Sequence, residues 1–166
     1  MKAFLHCVLY LFLAGISFFF VGEALPRRWF HPDRRPFSCM KHEQNGKIYD
    51  HLHIRGWKDR VPDLSKLLPD MIPKRLRACE SLSQMDRLIR ETCVAELTHN
   101  VLIGAGLACL WIWPGRGGRI MSLLWAVGNV PFILIQRYNR PRLEHLAERL
   151  HPANHQTNHQ KGAFVV

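Results

Sequence analysis

The sequence lacks the short motifs that mark most soluble enzymes. It has no G-x-S-x-G, P-loop or G-x-G-x-x-G segment, and none of its ten histidines begins an H-x-x-x-x-D pair. Its five cysteines form no C-x-x-C pair, and their odd number argues against a disulfide framework or a zinc site. Acidic residues are scarce, 13 against 23 Lys and Arg, so the formal charge is +10. We therefore expect reduced cysteines, no cofactor and an anionic partner.

Hydrophobic residues are abundant, at 48% of the 166 positions, and fall into three blocks separated by charged sequence. The first block, residues 3–22, is long enough to cross about 30 Å of hydrocarbon. Its alternative interpretation is a cleaved signal peptide, because Gly22-Glu23-Ala24 resembles a cleavage site. Residues 101–114 and 120–135 form the other two blocks. This pattern predicts an α-class, small multi-pass membrane protein with about three transmembrane helices, and it favours lipid or a phosphorylated substrate over nucleic acid.

The blocks divide the chain into four predicted segments. Residues 1–25 form an N-terminal transmembrane helix, 26–82 a cytoplasmic interfacial loop, 83–140 a helical hairpin with a polar site, and 141–166 an amphipathic helix with a disordered polar tail. Arginine clusters follow the first and last blocks, and the positive-inside rule places both flanks in the cytoplasm. These clusters are Arg27, Arg28, Arg34 and Arg35, and Arg137, Arg140, Arg142 and Arg149.

Local patterns give finer predictions for the loop. The Asn45-Gly46 turn signal and the alternation of Leu52 and Ile54 favour a short strand or hairpin over residues 48–54. Trp57 stands among charged residues before the leucines at 64, 67 and 68, which suits either a short helix on the membrane surface or a solvated loop anchored by one tryptophan.

The hairpin should begin near Ser83 and bend at Pro131, and an amphipathic helix should follow Pro141. A fold at Gly117 would place His99 opposite about Ile135 and Gln136. The same register would place Asn129 opposite about Ala105, beside the small-residue face formed by Gly104 and Gly106.

Two carboxylates and a histidine precede the second block. At about 100° per residue, Glu91, His99 and Glu96 fall at roughly 0°, 80° and 140° on one helix face. The cluster has three interpretations: polar residues that end a span, a metal site based on Glu96-x-x-His99, or an acid–base group. The metal site would need a second copy of its motif. His151, His155 and His159 recur every four residues, but the polar tail does not favour a metal site there either.

Polar groups in and after the third block are also ambiguous. Asn129, inside an apolar run, could be functional or could join two helices by hydrogen bonds. The arginines after the block could bind a phosphate or carboxylate, or could set topology and contact anionic lipid.

Several motifs together resemble the glycosyl-4,4'-diaponeurosporenoate acyltransferase family, which acts at the last step of staphyloxanthin-type carotenoid synthesis. The similarity extends from His42-x-x-Asn45-Gly46-Lys47 through Trp57-Lys58 to Leu143. Its most specific parts are Glu91-Thr92, Ala95-Glu96-Leu97-x-His99, Asn129-Val130-Pro131 and Gln136-Arg137-Tyr138-Asn139-Arg140-Pro141-Arg142-Leu143. The resemblance implies that a fatty acyl group is esterified onto a sugar hydroxyl of a glycosylated carotenoid acid, or a related glycolipid, at the membrane.

On this hypothesis His99 is the general base, Glu91 or Glu96 orients it, and Asn129 or Gln136 donates to the developing oxyanion. Arg137 and Arg140 bind the phosphates or headgroup of the acyl donor. Further substrate-binding candidates are Asn139, Trp57 and Lys58.

The expected partners are a fatty acyl donor such as acyl-CoA, a glycosylated carotenoid or glycolipid acceptor, and membrane lipid. The expected location is the cell membrane, with the active site on its cytoplasmic face. One alternative is a non-catalytic membrane module that binds anionic lipid or a biosynthetic partner enzyme. Another is a metal-dependent membrane oxidase built on Glu91, Glu96 and His99.

Overall fold

The computed structural model describes residues 1–61 and 82–150, and this part of the chain is helical with no strand. Three of its helical stretches, Lys2–Ala24, Leu82–Ile112 and Arg116–Arg149, are long and apolar enough to cross a membrane. The α-helices are α1 (Lys2–Ala24), α2 (Ile54–Trp57), α3 (Leu82–Gly106), α4 (Cys109–Ile112) and α5 (Arg116–Leu150), and 3₁₀ helices cover Arg27–Trp29, Lys41–Asp50 and Lys58–Arg60. The prediction of an α-class protein with three apolar spans is confirmed.

Helix α1 packs antiparallel to α3. It ends at Ala24 because Leu25 is extended and Pro26 follows, which disfavours further helix. Near its start, the hydroxyl of Tyr10 donates to the carbonyl of Ala105 (3.1 Å). Near its end, Gly22 is close enough to Thr98 that a Cβ atom there would lie 3.0 Å from the Thr98 hydroxyl. The C-terminal end of α1 therefore reaches the polar, N-terminal part of α3.

Helices α3 and α5 form the predicted hairpin, but in a different register. Ser122 donates to the carbonyl of Gly106 (2.8 Å), Trp125 to that of Leu102 (2.8 Å), and the His99 ring lies against Asn129. His99 thus faces Asn129, and the prediction that it faces Ile135 and Gln136 is wrong.

The turn of the hairpin explains the difference. Helix α4 extends the first arm to Ile112, and α5 already begins at Arg116, so the chain reverses around Pro114 rather than at Gly117. Moving the point of reversal by one residue shifts the pairing between the two helices by two residues. Gly106 consequently receives the Trp125 ring, which lies 2.5 Å from where a Cβ atom would be, instead of Asn129.

Helix α5 is one continuous helix that contains both Pro131 and Pro141. The amphipathic segment predicted after Pro141 therefore forms the last turns of α5 rather than a separate helix. Apolar spans tolerate proline, because neighbouring groups can satisfy the backbone carbonyl that it leaves without a helical partner. The polar tail from His151 onward lies outside the described residues, as does the predicted surface helix at Leu64 to Leu68.

The loop between α1 and α3 packs on the end of the α3–α5 hairpin that lies opposite its turn. The strand predicted over residues 48–54 is wrong, since these positions end a 3₁₀ helix and begin α2. The buried Tyr49 and Ile54 are five residues apart and both pack against Tyr138 of α5, with Trp57 at the edge of the cluster. Packing on a helix, rather than pairing in a sheet, accounts for the apolar residues of this segment.

Gly46 allows the loop to approach α5 closely. Its φ is +82°, and a Cβ atom would lie 2.9 Å from Pro141 and 3.2 Å from the guanidinium of Arg142. Gly46→Ala should therefore lower the free energy of unfolding by about 1–3 kcal/mol, measured by chemical denaturation in detergent. Gly56→Ala is the matched control, because no atom from another part of residues 1–61 and 82–150 lies within 4 Å of its Cβ position. Equal effects of the two substitutions would contradict this packing.

Candidate active site

The centre of the candidate site is His99, half-buried between α3 and α5. Its Nδ1 lies 2.8 Å from Oδ1 of Asn129, and its ring stacks on Phe132 with centroids 4.4 Å apart and planes 11° from parallel. Asn129 and Phe132 are three residues apart and so share one face of α5. The ring is thus held both at its edge and across its plane.

The contacts of Asn129 determine which ring nitrogen carries the proton. Its Nδ2 donates to the carbonyl of Trp125 (2.9 Å), which fixes the amide so that Oδ1 points at His99. An amide oxygen only accepts hydrogen bonds, so Nδ1 of His99 must be the donor. In the neutral ring the lone pair is then on Nε2, the nitrogen that could accept a proton from a substrate. Asn129 therefore holds the His99 ring through Oδ1, while one N–H of its Nδ2 is bound by the Trp125 carbonyl.

Glu96 lies one helical turn from His99, in a buried ion cluster. Its carboxylate accepts from Nε of Arg137 (2.8 Å) and from Nη2 of Arg140, and its exposed fraction is 3%. Arg140 is equally buried and also donates to the Thr92 hydroxyl (2.8 Å) and to the carbonyl of Phe37. Because the buried charges compensate one another, this cluster joins α3 to α5 without leaving an unpaired ion in the interior.

A loop carboxylate completes the cluster. Glu43, which is 3% exposed, accepts hydrogen bonds from Arg137 and from the hydroxyl of Tyr49, and its other oxygen accepts from the backbone of Met40 (2.7 Å). Burial alone would raise the pKa of Glu43, but these hydrogen bonds outweigh it and lower the pKa to about 2. Burial and the bond to Glu43 raise the pKa of Tyr49 well above its ordinary value. The loop is thereby tied to α5 by a carboxylate that is ionised at neutral pH.

Glu43 gives stability a defined dependence on pH. Its pKa is about 2 in the folded chain against an ordinary 4.5, so its contribution is complete above pH 4.5 and is lost as the pH falls toward 2. The difference in unfolding free energy between the intact chain and Glu43→Gln should be constant above pH 4.5 and shrink below it. Chemical denaturation in detergent at several pH values measures this difference. A gap that stayed constant down to pH 2 would contradict the assigned role.

Glu91 belongs to a separate cluster. It accepts from Nε and Nη2 of Arg27 (2.9 and 3.0 Å), and Nη1 of the same guanidinium donates to the carbonyls of Gly22, Glu23 and Leu25 at the end of α1. Burial works against the charged form of Arg27, but the contact with Glu91 raises its pKa. Glu91 is eight residues, about 12 Å of helix rise, from His99. It joins α1 to α3 and is too far away to orient the imidazole.

The predicted roles of the charged residues therefore change. Both carboxylates bind arginines, so Asn129, rather than Glu91 or Glu96, holds Nδ1 of His99. The nitrogens of Arg137 donate to Glu96, Glu43 and the carbonyl of Pro36 (2.8 Å). Those of Arg140 are also bound by protein oxygens, from Thr92, Phe37 and Glu96.

The remaining predicted residues lie on α5 or on the loop packed against it. Lys58 donates to Oδ1 of Asn139 (3.2 Å), while Trp57 donates to the carbonyl of Leu52 (3.0 Å) and packs beside Tyr138. Gln136 is half-buried on the α5 face that carries Asn129, and its side chain makes no hydrogen bond within residues 1–61 and 82–150. Among those residues, no group of three or more His, Cys, Asp or Glu side chains is placed to hold a metal.

Sequence reasoning missed the partners that hold the site together. Glu43 lies 94 residues from Arg137, and Thr92 lies 48 from Arg140, so local spacing gives no sign of either pair. Nothing in the local sequence marks Tyr49 as a partner of Glu43 either. The signal that could have found Glu43 and Thr92 is their place inside motifs, around Asn45-Gly46 and in Glu91-Thr92, that carry the family resemblance.

Comparison with known proteins agrees with that resemblance. The chain is similar to the glycosyl-4,4'-diaponeurosporenoate acyltransferases of two Staphylococcus aureus strains. It is 28% identical to that of strain MRSA252 over 148 residues and 27% identical to that of strain N315 over 150 residues, with 87% of this chain and 88% of each relative covered. No solved structure matches. The profile of the glycosyl-4,4'-diaponeurosporenoate acyltransferase family matches residues 26–149, which include every candidate site residue. The chain therefore belongs to this family and is an acyltransferase.

Proposed function

We propose that this enzyme transfers a fatty acyl group to a sugar hydroxyl of a glycosylated carotenoid acid, or a related glycolipid, at the cell membrane. The observation that carries the proposal is the His99–Asn129 pair, placed where the apolar spans meet the polar loop in a chain of this acyltransferase family. The name of the relatives, glycosyl-4,4'-diaponeurosporenoate acyltransferase, supports the glycosylated carotenoid acid as acceptor. Family membership does not favour a non-catalytic module.

The proposed chemistry uses His99 as general base. Nε2 accepts the proton of the sugar hydroxyl as that oxygen attacks the carbonyl carbon of the acyl donor, and Asn129 holds the resulting imidazolium at Nδ1. The new C–O bond replaces the bond between the acyl carbon and the leaving group. The leaving group then takes the proton from His99, so the base returns to its starting state.

Gln136 is the proposed donor to the oxyanion that forms during the attack. It follows Asn129 by seven residues and Phe132 by four, so all three side chains start from one face of α5. An amide N–H aimed at the developing negative charge stabilises the transition state more than the ground state. The buried ion cluster of Glu96, Arg137 and Arg140 supports this face of α5 and takes no part in the chemistry.

The proposed location is the cytoplasmic face of the membrane. The end of α1, the start of α3 and the last turns of α5 come together at one end of the bundle, and the loop at this end is rich in arginine, including the exposed Arg28, Arg34 and Arg35. Clusters of positive residues next to short spans are retained in the cytoplasm. An acceptor with its polyene in the bilayer would then present its sugar at the level of His99.

Mass spectrometry of lipid extracts tests the reaction. Cells that make a glycosylated carotenoid acid would express the intact chain or carry an empty vector, and expression in membranes would be confirmed by immunoblot. The expected result is a new species, heavier than the acceptor by one fatty acyl group, only with the intact chain. The absence of any new ester would contradict the proposed acceptor.

A further inference from the structure

We propose that Lys58 and Arg142 form the binding site for a phosphate group of the acyl donor, an inference that rests on the proposed acyl transfer. The phosphate belongs either to a nucleotide carrier such as coenzyme A or to a phospholipid that gives up an acyl chain. Neither Arg137 nor Arg140 can readily serve, because their guanidinium groups are bound by Glu96, Glu43 and loop carbonyls.

Two cations each contact the same aromatic ring. Nζ of Lys58 lies 5.4 Å from the centre of the Tyr138 ring, and the guanidinium carbon of Arg142 lies 3.7 Å from it. Tyr138 is 4% exposed, packs against Tyr49 and Ile54, and is therefore a fixed platform. Attraction to the π-face is worth roughly 0.5–2 kcal/mol for a cation and does not neutralise it.

The charge at this platform is incompletely balanced. Asp50 accepts from Nη2 of Arg142 (2.8 Å), but Lys58 bonds only to the neutral amide of Asn139 among the described side chains. Arg142 keeps 38% of its side chain exposed. Among the described side chains, two cations with one carboxylate leave a net positive charge where an anion could reach it. A phosphate could accept from the planar guanidinium and from the ammonium together.

The position of the pair relative to His99 favours the donor over an unrelated anion. Asn139, which holds Lys58, follows Phe132 by seven residues, two turns of α5, and Phe132 stacks on His99. The two levels are about 10 Å apart along the helix. Gln136 lies between them. A donor bound by its phosphate at Lys58 and Arg142 could therefore extend along one side of α5 and bring its acyl carbonyl to Gln136 and His99.

Binding measurements on the full chain test this site. The protein would be reconstituted in nanodiscs of phosphatidylcholine and titrated with coenzyme A, or in a second arm with short-chain phosphatidylglycerol. Lys58→Gln and Arg142→Gln should each weaken binding of the preferred probe about tenfold or more, and Lys58→Arg should restore it. Arg119→Gln is the control, because it removes the same charge at the opposite, exposed end of α5. The thermal unfolding midpoint of each variant checks that it is folded.

The outcomes identify the kind of donor and distinguish failure of the phosphate site from failure of the proposed acyl transfer. Dependence on Lys58 and Arg142 with coenzyme A identifies a nucleotide carrier, and the same dependence with phosphatidylglycerol alone identifies a phospholipid donor. Affinities unchanged by the two substitutions, or reduced equally by Arg119→Gln, would overturn the phosphate site. If the intact chain still made the ester, the proposed acyl transfer would stand without the phosphate site. In that assay Lys58→Gln should raise KM for the donor and leave kcat nearly unchanged.

Discussion

Replacing His99 with alanine is expected to lower the rate of acyl transfer by about 10²–10⁴-fold, the usual contribution of a positioned general base. The imidazole is the one titratable group held between Asn129 and Phe132, so a methyl group leaves nothing there to accept the hydroxyl proton. The rate would be measured by liquid chromatography of the acylated product, with the same amount of folded protein in vesicles.

The matched control is His145→Ala. His145 also lies on α5, but its side chain is 55% exposed and contacts Glu148 beyond the ion cluster. The His145→Ala variant should retain the rate of the intact chain within about twofold, since substitutions at exposed positions away from the site change stability little. Full activity of the His99 variant, or equal losses in both variants, would remove His99 from the chemistry.

The second large effect is on stability. Glu96→Gln should lower the free energy of unfolding by about 3–5 kcal/mol, because it leaves the buried Arg140 and the nearly buried Arg137 with one fewer negative charge. Chemical denaturation in mixed micelles, followed by circular dichroism, measures the change. The effect reports on the fold and should be accompanied by loss of activity at temperatures where the variant unfolds.

Asp86→Asn provides the comparison on the same helix. Asp86 pairs with Arg90 at 2.8 Å, but its side chain is 58% exposed, so removing its charge should cost less than about 1 kcal/mol. The contrast between two carboxylate-to-amide changes on α3 isolates the effect of burial. Similar losses of unfolding free energy for Glu96→Gln and Asp86→Asn would show that the Glu96 cluster is not a buried, interdependent unit.

The spans and the meeting of the polar motifs could be predicted from the sequence, because both depend on local properties. A block of about 20 apolar residues indicates a membrane helix whatever surrounds it, and a short turn makes two successive blocks antiparallel. The predicted start of α3 at Ser83 lies one residue from the observed start at Leu82. The same reasoning correctly brought the segment around His99 to the middle of α5.

The pairings within the site could not be predicted, because they depend on details that local patterns do not contain. A shift of the hairpin turn by three residues replaced Ile135 and Gln136 by Asn129 as the neighbour of His99. The partner of Arg137 in the loop, Glu43, lies just before residues 48–54, whose alternating pattern resembled a strand. With residues 48–54 packed on Tyr138 instead of paired in a sheet, Glu43 reaches Arg137. Glu96 binds both Arg137 and Arg140.

The measurement that tests the account most directly is tandem mass spectrometry of the product of a reconstituted reaction. The purified chain in vesicles would receive a fatty acyl donor and a glycosylated carotenoid acid. The account predicts a product that is one acyl group heavier, whose additional mass stays with the sugar fragment, and that forms at a greatly reduced rate with His99→Ala. An acyl group on the polyene fragment, or no acylated product from the folded chain, would contradict it.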